Sequence, residues 1–185
     1  MQKTFETLVA TLTGMANQVA IIANVIGTLI VLILVLIVNF DVVARGVFNA
    51  PFLGAVEIVQ FSMVMIVFMQ LPDVARVNRL TRSDGFLVVL SKRYPNLAAG
   101  VRHVIDCVSA VFMCLIAIAI WPEFHDMWQS NDYFGVPGVF TAPWWPIKLV
   151  IFLSACLCTV IFILKVLSPA VQPELIKAPE HEDVK

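Results

Sequence analysis

The chain has 185 residues, 60% of them hydrophobic and only 14% charged, and its mean hydropathy is +0.91. Apolar surface on this scale needs lipid as its solvent, which excludes most soluble readings and leaves no nucleic-acid partner to expect. The formal charge of −1 says little as a sum, because the charges are segregated along a chain of single-domain length.

Residues 1–18 are read as a cytoplasmic N-terminal segment. The first span, 19–40, is ungapped, with Asn24 as its interior amide and Gly27 as a point of close approach to another helix. It is too long for the apolar core of a cleaved signal, and no small-x-small site follows it, so it is read as retained. The second span, 54–75, carries Glu57 in its first turn and ends in a basic turn with Arg76, Arg79 and Arg82 at helical spacing. A short apolar stretch around Phe86 to Leu90, flanked by Asp84 and by Lys92 and Arg93, is too short to cross and is expected along the inner membrane surface.

The third span, 98–121, follows Pro95, with Asn96 as its expected cap, and is expected to end at the Trp121 and Pro122 pair. The fourth, 144–167, is expected to open around Pro143, with Trp121, Trp144 and Trp145 as interfacial anchors and Lys148 snorkelling to the same level. Residues 168–185 mix prolines with alternating charges and read as a solvated cytoplasmic tail. The fold expected is therefore an all-α integral membrane protein, with four transmembrane helices and a short inner-surface amphipathic segment between helices 2 and 3.

Positive charge sets the orientation. Arg76, Arg79, Arg82, Lys92, Arg93 and Arg102 fall in or beside the connection between spans two and three, where contacts with phospholipid or a partner are expected. The stretch 122–142 holds none, and carries Glu123, Asp126 and Asp132. An even number of spans then places both termini on the cytoplasmic side.

Few residues carry chemistry. Cys107, Cys114, Cys156 and Cys158 lie within spans and read as small packing hydrophobes; no cofactor and no metal is expected. Asp41 and Arg45, four apart, can pair on one helical face, and Glu57 is placed to meet Arg45 or a helix N-terminal dipole. These three form either an interfacial ion pair fixing a helical hairpin or a proton relay. Gln60 and Gln70 suit interhelical hydrogen bonding or a partner contact, and Asp73 and Asp106 can be neutralised by Arg76 and Arg102.

Arg45, then Phe48, Asn49 and Pro51, then Glu57 entering an apolar helix, then an arginine-rich turn ending in Asp84, resembles the small Q-type membrane subunit of tripartite ATP-independent periplasmic (TRAP) transporters. Gly135, Val136 and Pro137, followed by Pro143 to Pro146, also resemble that family, and the likeness runs from about Val19 to Leu167. It implies a scaffold in the bacterial inner membrane that braces a large multi-span permease subunit during ion-driven organic-acid uptake, with a periplasmic substrate-binding protein as the third component. It also gives Asn49 a place beside Asp41, Arg45 and Glu57 among the hairpin or partner residues. The competing class is a homo-oligomeric small channel or transporter. An enzyme is not expected, since a membrane thiol oxidoreductase would need cysteines in the outer loops and there are none.

Overall fold

In the computed structural model, residues 2–50, 52–77, 94–136, 138 and 140–167 are described. They form α1 (Gln2–Val47), α2 (Ala55–Arg76), α3 (Pro95–Ser130), β1 (Tyr133–Val136), β2 (Phe140–Pro143) and α4 (Trp145–Leu167). The four helices are each long and apolar enough to cross a membrane, so the expected all-α, four-span class holds. The segment expected along the inner surface lies outside the described residues.

Two helices overrun the spans expected of them. α1 has 46 residues and would reach about 69 Å at 1.5 Å per residue, over twice a hydrocarbon core of about 30 Å. The reason lies on one face of its N-terminal half. Val9, Ala16 and Ala20 are buried there against Ile161 and Leu164 of α4, so tertiary packing continues the helix well before the apolar run begins.

α3 does not end at Trp121. It runs through Pro122 to Ser130, and Asn131 closes it in the left-handed conformation at φ 52°. Pro122 removes one backbone donor without stopping the helix. Trp121, Phe124 and Trp128 then keep one aromatic face, with ring centroids 6.1 and 6.2 Å apart in succession. At the other end Tyr94, not Asn96, is the N-cap, and Pro95 takes the first helical position, where its missing N–H costs nothing.

The stretch before α4 is a two-stranded antiparallel hairpin, with Tyr133 opposite Pro143 and Val136 opposite Phe140. Pro143 therefore belongs to a strand, and Pro146 occupies the opening turn of α4. Gly138 at the tip has φ +89°, which only glycine adopts cheaply. The Trp144 backbone N–H donates to the Asp132 carbonyl at 3.1 Å and closes the base.

α4 is the hub, packed on α1, α2 and α3. Phe162, which is fully buried, and Cys158 sit with Ala75 of α2 and Ala110 of α3. Small residues on the neighbouring helices let the backbones approach, as association in lipid requires. α1 meets α2 in the same way at Gly27, where an added Cβ would stand 2.9 Å from Gln70 Cγ and 3.3 Å from Met69 Cβ. Gly27→Leu is expected to force α1 and α2 apart and destabilise the bundle by about 2 kcal/mol, whereas Gly14→Leu, which faces open space, should be neutral. Thermal melts of the detergent-solubilised protein distinguish the two.

Candidate functional site

Among the described residues, the side-chain contacts that tie helices or their ends together fall mainly at three places, each near a helix end. The first is the turn between α1 and α2. α1 stops because Asn49 adopts φ 51°. This lets the Ala50 N–H reach back to the Ala44 carbonyl at 3.2 Å, which also accepts the last regular helical bond, from the Phe48 N–H at 3.1 Å. Asp41 Oδ2 accepts from Arg45 Nη2 at 2.9 Å, and its Oδ1 accepts from the Phe52 backbone N–H at 2.8 Å. The Phe40 and Phe52 rings meet edge to face at 6.3 Å. Gly54, at φ 95°, then turns the chain into α2.

Asp41 is thus a clasp across the turn, while Arg45 is largely exposed. Glu57 stands in the first turn of α2, where a carboxylate complements the helix dipole. Among the described residues it does not pair with Arg45, whose partner is Asp41. Asp41→Ala is expected to cost about 1–2 kcal/mol by stranding the Phe52 N–H. Glu57→Gln should cost under about 0.5 kcal/mol. A relay would instead make Glu57→Gln abolish transport at normal assembly.

The second place lies at the opposite end of α2. Asp73 Oδ2 accepts from Asn24 Nδ2 of α1 at 2.9 Å. Its Oδ1 accepts from Arg76 Nε at 2.8 Å and Nη2 at 2.7 Å, a forked ion pair one helical turn long. The side chains are only 16% and 28% exposed. Lys165 of α4 donates to the Ala75 carbonyl in the last turn of α2, where a cation also complements the helix dipole. Three helices are therefore fastened at one level by groups that satisfy one another.

The third place joins α3 to α4. Trp128 meets Trp145 at 5.0 Å, Trp121 meets Phe152 at 5.1 Å, and Phe134 of β1 meets Trp144 at 5.0 Å. Lys148 forms an ion pair with Glu123. An open apolar groove of about 560 Å³ runs below, lined by Cys114, Ile118 and Trp121 on α3 and by Phe152, Cys156 and Val160 on α4. Cys156 lines this groove while Cys158 is buried on the other side of α4.

Of the residues expected at the inner surface, Arg76 is the ion-pair partner of Asp73, and Arg102 and the buried Asp106 lie one turn apart on α3. Arg79, Arg82, Asp84, Lys92 and Arg93 lie outside the described residues. The anchors Trp144 and Trp145 fall at the hairpin base and the start of α4, with Trp121 some seven residues along α3 from the Trp128 that stacks on Trp145. Sequence reasoning missed the contact of Asn24 with Asp73, the reach of Lys165 to α2 and the pairing of Lys148 with Glu123. A lone amide and lone lysines inside apolar runs were the available signal, since such groups need partners in lipid.

Comparison with known proteins gives one family. The model of the family described as "Tripartite ATP-independent periplasmic transporters, DctQ component" matches residues 34–171. No curated protein and no solved structure matches the chain.

Proposed function

Because the chain belongs to the DctQ family and is a small membrane component of a TRAP transporter, we propose that it braces the large multi-span permease subunit. That subunit would carry an organic acid inward in an ion-driven system fed by a periplasmic binding protein. The chain itself supplies stationary bulk.

One observation carries this reading. Most ionisable groups described within the bundle sit near helix ends and are tied to one another or to backbone, as in Asp41 with Arg45, Asp73 with Arg76, Lys148 with Glu123 and Lys165 with the Ala75 carbonyl, while the buried Asp106 lies one turn from Arg102 on α3. Groups held this way fix helix positions, whereas a pathway needs ionisable groups facing a water-filled cavity. The wide exposed apolar faces of α1 and α3, including Leu36, Val43, Val108 and Leu115, suit lipid.

The orientation fits the same role. With both termini on the cytoplasmic side of the bacterial inner membrane, the N-terminal half of α1 and the basic connection after α2 lie inside. The hairpin of β1 and β2 lies outside, towards the binding protein.

Expressing the large subunit with and without this chain tests the proposal. Its membrane-inserted amount and its substrate uptake should both fall several-fold when this chain is missing. Full uptake by the large subunit alone would contradict the bracing role.

A further inference from the structure

The bracing role leaves open which face of the bundle meets the permease, and an exposed amide one turn below the start of α2 points to one. Most polar side chains on the spans are satisfied within their own chain. Thr28 Oγ1 donates to the Asn24 carbonyl, Asn39 Nδ2 to the Val35 carbonyl, Ser109 Oγ to the Ile105 carbonyl and Thr159 Oγ1 to the Ala155 carbonyl, all between 2.7 and 2.9 Å.

Gln60 differs. It is exposed, it makes no hydrogen bond with any described residue, and it lies five residues into α2, about 7.5 Å below the start of that helix at 1.5 Å per residue. It lacks the long stem by which lysine snorkels out of lipid. An amide left in hydrocarbon with no partner is costly, and a neighbouring transmembrane helix is the usual remedy.

The surroundings of Gln60 give the partner a footprint. Val56, Met63 and Val67 are 62%, 58% and 59% exposed. With Gln60 they fall at spacings of four, three and four residues, a single stripe along α2. Glu57 flanks its upper end in the first turn of α2. The stripe is apolar below and hydrogen-bonding above, a pattern that lipid chains do not match and a helix with a donor side chain at that depth does.

We infer that the Val56, Gln60, Met63 and Val67 face of α2 is the surface that receives a transmembrane helix of the large permease subunit, through a side chain on that helix that hydrogen-bonds the Gln60 amide. The inference rests on the bracing role proposed above. It assigns the exposed faces of α1 and α3 to lipid.

Photo-crosslinking in native membranes tests it, with benzoylphenylalanine placed singly at Met63, Val67, Leu36 of α1 or Val108 of α3, and the large subunit co-expressed. Positions 63 and 67 should give a covalent adduct with the large subunit, and positions 36 and 108 should not. Gln60→Leu should lower co-purified large subunit about threefold, the scale of one interhelical hydrogen bond in a bilayer, while Gln60→Asn retains more of it.

Adducts from positions 36 or 108 alone, in membranes where the two chains still co-purify, would overturn the assigned face and leave the bracing role standing. So would adducts at 63 and 67 that contain only lipid or a second copy of this chain. Absence of the large subunit from every unmodified preparation would instead overturn the bracing role itself.

Discussion

Asp73→Ala is expected to be among the most damaging single substitutions in this chain. It removes the acceptor shared by Asn24 and Arg76 and leaves a guanidinium beside the bundle without its carboxylate. Breaking a buried pair from one side costs about 3–5 kcal/mol, and the partial exposure of both groups places this case near about 3 kcal/mol. That corresponds to roughly a hundredfold change in the folding equilibrium constant. Asp73→Asn keeps an acceptor and should lose about 1 kcal/mol. The informative comparison is Asp73→Ala with Arg76→Ala, which removes the stranded charge and should recover part of the loss. The readout is the monodisperse fraction surviving a graded heat step in mild detergent. Equal survival of wild type and Asp73→Ala would show that the node does not hold the helices together.

Phe162→Ala is the second large effect. Phe162 is fully buried where α4 meets Ala75 of α2 and Ala110 of α3, with Leu71 and Met113 packed around it. Removing its ring leaves a cavity that three helices cannot collapse around at once. In lipid the transfer part of the usual penalty shrinks, because the unpacked side chain is already in an apolar medium, but the lost packing remains. About 3 kcal/mol is expected, the lower end for a buried phenylalanine. Phe162→Leu should lose about 1 kcal/mol. Leu36→Ala, on an exposed face of α1, should stay within about 0.5 kcal/mol. If Phe162→Ala and Leu36→Ala melt alike, α4 is not the hub of the bundle.

The spans were legible in the sequence because hydropathy over some twenty residues is a strong signal, and Gly27 stood out as the small residue within the first span. The helix ends were not. Residues 2–18 are amphipathic rather than apolar, so a reading based on crossing lipid stopped at Val19. Yet Val9, Ala16 and Ala20 already mark the face that meets α4. Pro122 reads as a stop by its chemistry, whereas the aromatic spacing of Trp121, Phe124 and Trp128 gives the helix a packed face beyond it. The hairpin before α4 is short and rich in proline and glycine, and only pairing across the turn reveals it as strands.

The polar site was half legible. Residues three or four apart on one helix, Asp41 with Arg45 and Asp73 with Arg76, follow from spacing alone. Contacts between helices do not. Asn24 with Asp73 and Lys165 with Ala75 require knowing which helices are neighbours. For Glu57 the sequence leaves Arg45 and the helix dipole both open, and in the structure Arg45 pairs with Asp41 while Glu57 stands in the first turn of α2.

The most direct test of the account is to purify the tagged chain from its native membranes in mild detergent and identify by mass spectrometry what comes with it. A large multi-span permease in stoichiometric amount is the predicted result. A pure homo-oligomer of this chain would contradict the bracing role and turn attention to conduction through Asp41, Arg45 and Glu57.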